Sequence, residues 1–466
     1  MNSPAETSDA LAPIRETPPK ASRRYRRILA AALSGVFGKG TSLLVNAATV
    51  PITVRYLGPE SYGLWITISS IVTMFFVMDI GISSTLTNLV SEAYASDDHE
   101  RAAEYFATAF WILVGVSACV GIAGWLIWPR MHWAYIFHVE DPALAYETSR
   151  AVAAAFIVFL FALPAALVSK VLGGYQELHT ANLFATGGSV LSLLVVLLVV
   201  FLHGSLASLV AGYAGSAVAA NAACLLWMCL FSKPWMKPWP RRVNPKLIGR
   251  IFHSGTQFFA IQLAGLIVFS SDNLIISHYL SPAQVTPYNV TWRLVSYITA
   301  VPILVLPALW PAYAEAYSKG DLGWIRTAYA RTRRVTLGVL IVGCAVLLLE
   351  GRHIIAFWAG AAAVPTIMLL RLMCVWMFIF AITLNQSCLM GATYRVGRQA
   401  VYGLLAAAVN LILSILWVRS LGPTGVLLAT VVSYIVFIVA MQTWEVKRIL
   451  RGDFLVIQPQ QDVART

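Results

Sequence analysis

Tyr56-Leu57-Gly58-Pro59 breaks a long apolar stretch with a turn, and the pattern returns 223 residues later as Tyr279, Leu280 and Pro282. Glu92-Ala93-Tyr94 and Asp98 return at the same offset as Glu315-Ala316-Tyr317 and Asp321. Leu43, Val45 and Ile52 return as Leu266, Val268 and Ile275. The offset holds without a gap, and the matched set includes turn and charged residues that chance pairing of apolar segments would not supply. An apolar chain built of two similar halves is a recurring plan for secondary transporters, which bind at the interface between repeats.

Composition sets the solvent. Hydrophobic residues make up 59% of the 466 residues and charged residues only 12%, against about 25% charged in soluble domains. So few charges cannot cover a water-soluble fold of this length, so the chain is an integral membrane protein. The net charge of +12 does not point to nucleic acid, because the basic residues flank apolar segments, as the positive-inside rule requires. The six cysteines all fall in apolar segments without metal-type spacing, and read as small apolar residues.

A spanning helix needs about 20 mostly apolar residues. Such segments lie at about 28–54, 62–88, 105–128, 151–171, 181–202 and 205–231, then 252–279, 288–312, 334–349, 364–390, 400–418 and 422–446. The expected fold is all-α and membrane-integral, with about twelve transmembrane helices in two six-helix lobes. With a cytoplasmic N-terminus, cytoplasmic segments hold 25 of the 33 Lys and Arg, outer loops hold five, and three lie inside the membrane. Both termini are therefore expected on the cytoplasmic side.

The domain expectation follows. Residues 1–27 are a disordered basic cytoplasmic tail, 28–231 the N-lobe, 232–250 a basic cytoplasmic linker, 251–446 the C-lobe and 447–466 a cytoplasmic tail. Trp235 and Trp239 in the linker read as interfacial anchors, as do Trp128, Trp133 and Tyr135 in the longest outer loop.

Five ionisable residues stand at membrane depth: Lys39, Asp79, Asp272, Arg293 and Arg371. Each costs at least about 2.5–3.5 kcal/mol at a helix centre, so each is expected to be paired or to line a watery cavity. Residues equidistant from a hairpin turn share a depth, which matches Lys39 with Asp79 and Asp272 with Arg293. Two readings of each pair stay open: a local ion bridge that pins a hairpin, or a base that faces the cavity and binds phosphate. Arg371 either snorkels outward or bonds backbone carbonyls, or else joins the cavity. Trp292, beside Arg293, either packs or stacks on a sugar. Asn385, Gln386 and Asn410 read as hydrogen-bonding partners of neighbouring helices. The charges break the repeat: at the 223 offset Lys39 meets Gln262, Asp79 meets Pro302, and Arg293 meets Ser70. Features that break a structural symmetry are candidates for the substrate path.

Arg55-Tyr56-Leu57-Gly58-Pro59-Glu60-Ser61-Tyr62-Gly63-Leu64-Trp65 resembles the first outer turn of polysaccharide-transporter flippases. Met78-Asp79-Ile80-Gly81-Ile82 with Leu86-Thr87, Ser271-Asp272-Asn273-Leu274-Ile275-Ile276 with Tyr288-Asn289-Val290, and Leu421-Gly422-Pro423-Thr424-Gly425 resemble further segments of that family. The likeness spans 28–446 and rests on the order and spacing of loose motifs. It implies the superfamily of multidrug, oligosaccharidyl-lipid and polysaccharide exporters, with a V-shaped central cavity and alternating access.

Members of the Wzx-like branch move a sugar chain on undecaprenyl diphosphate across the bacterial inner membrane, for capsule, exopolysaccharide or O-antigen synthesis. By that likeness Lys39, Arg293 and Arg371 are the expected diphosphate ligands. Asp79 and Asp272 are then candidates to carry a coupled proton or sodium ion. Glycan polymerases or glycosyltransferases are the expected neighbours, and no cofactor or metal is expected. A cation-coupled multidrug exporter of the same fold is the rival reading. Three embedded bases against two acids favour an anionic substrate. A membrane glycan polymerase or ligase is disfavoured: the longest outer loop is short, and its His132 and His138 have no clear partners.

Overall fold

The computed structural model describes residues 19–75, 79, 81–393 and 395–453. Residues 1–18 and 454–466 of the expected tails, and Met78 and Ile80 of the second helix, lie outside the described residues.

The first helix, α1 (Pro19–Phe75), is two arms joined at Gly58, where φ 74° and ψ 170° interrupt the helix. That backbone region is open essentially to glycine alone, and Pro59 restarts the helix with its preset φ. The helix starts at Pro19, so the basic run Arg23–Arg27 lies within it rather than in the expected tail. Then come α2 (Ile82–Ala95), α3 (His99–Ile127), α4 (Trp133–Phe137), α5 (Pro142–Ala165), α6 (Leu167–Gly174), α7 (Leu178–Phe201) and α8 (Leu206–Trp227). The second half runs α9 (Pro245–Tyr279), α10 (Pro282–Ser318), α11 (Leu322–Ala359), α12 (Ile367–Ala392), α13 (Val396–Leu421), α14 (Pro423–Ser433) and α15 (Ala440–Arg451).

With the five-residue α4 set aside, and with the second arm of α1 grouped with α2, α5 with α6, and α14 with α15, the described residues form twelve rods, in line with the expected twelve. Eight helices are long and apolar enough to cross a membrane among the described residues.

The repeat is visible as repeated turn chemistry. Asp98 caps α3 by accepting from the Arg101 amide, and Asp321 caps α11 by accepting from the Trp324 amide, both at 2.9 Å. The residue before each cap has positive φ, Asp97 at 56° and Gly320 at 72°. The amides of Asp98 and Asp321 donate to the carbonyls of Ala93 and Ala316, again both at 2.9 Å. The matched sequence positions thus build one turn twice.

One expectation is corrected here. The second rod is not a continuous helix over 62–88. Gly81, in the left-handed region at φ 72°, interrupts it, and a helix starts anew at Ile82. The break re-aims whatever lies within it, so counting residues along a straight hairpin misplaces Asp79.

The apolar core falls into three clusters. One joins both halves around Val50–Ile68, Phe137, Leu206–Val210, Ile275–Val295, Ile355–Met373 and Val426. These residues surround the Gly58 and Ser281 turns, and that end of the bundle is here the turn end. At the opposite end, where α1 begins and α15 ends, the core is divided. A first-half cluster holds Leu86, Phe106, Leu172 and Met228, and a separate second-half cluster holds Leu306, Tyr313, Leu389 and Ile449. Apart from the start of α9, whose Leu247 and Ile251 join the first-half cluster, the lobes part there and enclose a V-shaped cleft.

Paired contacts close the turn end. A Cβ on Gly63 would stand 1.7 Å from the Pro282 carbonyl oxygen, so the two backbones touch only because no side chain intervenes. At the repeat-related site, the Thr286 hydroxyl donates to the Pro59 carbonyl at 2.5 Å. Arg55 donates to the Phe357 carbonyl at 2.9 Å, and its counterpart His278 bonds the Ile136 carbonyl at 2.9 Å. The expected interfacial loop is therefore partly a seam element: α4 docks on α9 with Phe137 fully buried. The linker also docks. Trp111 donates to the Pro238 carbonyl at 2.9 Å, and Trp235 stacks on His99 with centroids 4.8 Å apart.

Candidate substrate cleft between the lobes

Arg293 sits at the seam between the lobes, where α10 meets α1. It lies on α10 one turn after Asn289, and i,i+4 spacing puts both on one face. Its Nε donates to Asn289 Oδ1 at 3.0 Å, and an Nη donates across the seam to Asn46 Oδ1 on α1 at 3.1 Å. The Tyr213 hydroxyl donates to the same Asn46 oxygen at 3.4 Å. The phenols of Tyr62, Tyr213 and Tyr297 stand close enough to interact with the guanidinium charge. All these partners are neutral. Among the described residues Arg293 has no carboxylate partner, so a positive charge is held at the apex by dipoles alone.

Ser70, the repeat counterpart of Arg293, also bonds across the seam, accepting from Asn273 Nδ2 at 2.9 Å. The repeat therefore conserves the contact between lobes, while the charge is carried on one side only.

Lys39 lies seven residues before Asn46 on α1, nearly two turns, which puts it on the same stripe about 10 Å toward the terminal end. It is exposed and has no hydrogen bond or ion pair among the described residues. The neighbouring face, through Gly38 and Ser42, packs on α7, with Ser42 bonded to Ser189 at 3.0 Å.

Trp292 turns away from Arg293 into the second lobe. Its ring stacks on Trp376, with centroids 5.8 Å apart at 26°, and on Tyr288 at 6.4 Å and 19°. Trp292 and Trp376 wall a cavity of about 310 Å³ between α10 and α12, which Ser296, Thr299 and Phe380 also line.

The equal-depth pairs are not ion pairs among the described residues. Asp79 is turned back on its own chain and accepts from the Ser83 amide at 3.1 Å and the Ser83 hydroxyl at 2.9 Å. It caps the restarted helix, and its cationic neighbour is Lys170, not Lys39. Asp272, buried between α9 and α10, accepts from the Tyr288 hydroxyl at 2.5 Å. Its other oxygen has no hydrogen bond among the described residues. Arg293 matches its depth, but Tyr288 and Asn289 point to different faces of α10, and Arg293 follows Asn289.

Arg371 does not join the cleft. It is exposed on the outward side of α12, in a groove against α11 that also holds Arg352 and His353. Asn385, Gln386 and Asn410 bond neighbouring helices, Gln386 to Thr443 at 2.8 Å and Asn410 to Thr430 at 2.9 Å. Sequence reasoning missed Asn46, Asn289 and the three tyrosines. The i,i+4 step from Asn289 to Arg293 and the two-turn step from Lys39 to Asn46 were available signals. The tyrosines come together only through the fold.

Comparison with known proteins fits this geometry. The family model described as "Polysaccharide biosynthesis protein" matches residues 28–316, well over half of the chain. A curated relative from Salmonella typhi, "Putative O-antigen transporter", is 24% identical over 327 residues, covering 70% of this chain and 73% of the relative. An inward-facing multidrug resistance MATE family transporter of the MOP superfamily aligns with TM-score 0.74 at 15% identity, covering 88% of this chain and 96% of that one. The lipid II flippase MurJ, in an inward closed conformation, aligns with TM-score 0.72 at 13% identity, covering 88% and 87%. The chain therefore belongs to the polysaccharide biosynthesis protein family, as a multi-pass membrane protein whose fold is shared with these solved transporters.

Proposed function

We propose that the chain carries a lipid-linked oligosaccharide diphosphate, of the undecaprenyl type used for O-antigen, capsule or exopolysaccharide, across the bacterial inner membrane. The observation that carries this reading is Arg293: a cation at the apex between the lobes, with neutral partners and no carboxylate to neutralise it. A diphosphate would complete that charge through charge-assisted hydrogen bonds, which are roughly twice as strong as neutral ones. Lys39, exposed on the same stripe of α1, is a first contact on the way in. The Trp292–Trp376 cavity, with Ser296 and Thr299 beside it, offers aromatic faces and hydroxyls suited to a sugar.

The bias of Lys and Arg toward the terminal end supports a cytoplasmic orientation for that end and both termini. On that reading the cleft opens inward, and rocking of the lobes about the turn-end seam exposes Arg293 outward. The lipid tail stays in the bilayer while the head group crosses. Asp272 remains the candidate for a coupled proton or cation, since its described partner is a single neutral hydroxyl. Glycosyltransferases and a glycan polymerase would act before and after this step.

The test is a liposome assay of transbilayer movement with a fluorescent undecaprenyl-diphosphate oligosaccharide, alongside uptake of a cationic dye. Arg293→Ala is expected to slow flipping at least about a hundredfold, as loss of a close charge-assisted contact would, with Arg293→Lys intermediate. Normal flipping by both variants at normal protein levels would remove Arg293 as a phosphate ligand. Dye transport without lipid movement would establish the multidrug-exporter reading instead.

A further inference from the structure

Each lobe has a groove beside its third and fourth rods. In the first lobe it lies between α3, α5 and the second arm of α1 and encloses about 290 Å³. Its walls are apolar throughout, with Val120, Ile127, Val152 and Phe156 among them. In the second lobe it runs between α11 and α12 and encloses about 920 Å³. Val152 and Ala155 of the first groove correspond at the 223 offset to Val375 and Phe378 of the second.

The second groove is chemically two-ended. Toward the turn end it carries Arg352, His353 and Arg371. Arg371 lies one turn inside the start of α12, whose N-terminal end adds a positive pole. Arg371 has no hydrogen bond or ion pair among the described residues, and the one acid beside the cluster, Glu350, is bonded to His353 at 3.1 Å. The rest of the groove is apolar and faces outward, with Leu349 78% and Val375 46% exposed.

Snorkelling alone accounts for one arginine near a helix end. It does not account for two arginines on different helices meeting over one apolar trough, while the first-lobe groove has none.

We propose that this second-lobe groove binds an anionic phospholipid of the surrounding bilayer. Its headgroup phosphate lies between Arg352 and Arg371, and one acyl chain lies along Leu348, Val375 and Phe378. The site faces lipid, separate from the cleft, and does not depend on what the cleft carries. Its occupancy ties α11 to α12 beside the Arg55–Phe357 seam contact.

The test uses the full chain, delipidated in detergent, with native mass spectrometry of added phosphatidylglycerol against phosphatidylcholine of the same acyl chains. One phosphatidylglycerol is expected to bind at least about tenfold tighter than phosphatidylcholine, given two arginines at a membrane surface. Arg352→Gln/Arg371→Gln should abolish that preference, and Arg352→Lys/Arg371→Lys should keep most of it. Val375→Trp, which fills the groove without changing charge, should lose the lipid, while Val152→Trp in the first-lobe groove should keep it. Size-exclusion profiles check that each variant folds. Equal binding of the two lipids, a preference that survives the double Gln variant, or lipid retained by Val375→Trp would overturn the proposal. So would displacement of the lipid by millimolar inorganic phosphate, or a polyprenyl diphosphate as the lipid that co-purifies.

Discussion

The two lobes lock their terminal ends at the same place with opposite polarity. In the first lobe an acid sits at the start of the fifth rod: Glu177, at the N-cap of α7, takes Lys233 Nζ at 2.5 Å from the end of the sixth rod. In the second lobe a base sits there: Arg395, at the N-cap of α13, reaches Glu445 on α15 at 2.7 Å, and Arg398 bonds the same carboxylate. Tyr402 adds its hydroxyl at 3.2 Å. The two locks are not equally favourable. Glu177 suits the positive pole of α7, whereas Arg395 opposes that of α13 and depends on Glu445 to offset it. The fold therefore preserves where a lock is needed and leaves its chemistry free. The same holds at the seam, where Gly63 and Thr286 occupy matched positions with a bare backbone contact on one side and a hydroxyl bond on the other.

The largest effect is expected at Glu445. Its side chain is fully buried and serves two arginines, of which Arg395 is 15% exposed. Breaking a buried pair costs about 3–5 kcal/mol, because a charge is left without compensation. Arg398 is half exposed and can return to solvent, which puts Glu445→Ala near the lower bound. Lys233→Ala should cost less, about 1–2 kcal/mol. It leaves Glu177 on a favourable helix pole and removes the Lys233 contact with the Tyr175 ring at 4.7 Å. Thermal unfolding of both purified variants decides the matter. Equal losses would mean that helix polarity does not distinguish the locks.

At the seam, Gly63→Ala inserts a methyl against the Pro282 carbonyl. Backbone cannot yield as a side chain can, so the lobes must shift, at a cost of about 1–3 kcal/mol. Spin labels at Glu60 and Gln284, both exposed on the two turns, should report a longer or broader interlobe distance in the variant. An unchanged distance would show that the turn end is not held by this contact.

How much of this was legible from sequence depends on what fixed each position. Turns were legible, because Pro59, Asp98, Pro282 and Asp321 act locally and leave residue-type signatures at a fixed offset. Rod number was legible from length and hydropathy. Depth was partly legible, but direction around the helix axis was not. Arg371 and Trp376 lie on the same helix five residues apart, yet one faces the outer groove and the other the aromatic stack. In a helix apolar on every side, sequence cannot separate the face that meets lipid from the face that meets protein. Asp272 shows the same limit across a hairpin, since its partner Tyr288 was equally available at the sequence level and Arg293 matched its depth better. Asp79 missed Lys39 for another reason: the helix restarts after Gly81, and Asp79 caps that restart through Ser83.

The smallest effect is expected at Thr286. Its hydroxyl donates to the Pro59 carbonyl across the seam, and interhelical hydrogen bonds in membrane proteins average about 0.6 kcal/mol. Valine keeps the shape and removes the donor. Thr286→Val should therefore lower the melting temperature only slightly and leave the Glu60–Gln284 distance distribution centred where it was. If Thr286→Val opened the seam as far as Gly63→Ala does, the hydroxyl would be as important as the backbone approach, and the matched sites would be equivalent in energy as well as in place. A small effect would instead mean that one half of the repeat holds the seam by close packing and the other contributes mainly to its register. That is the same division of labour found at the terminal locks, where position is shared and strength is not.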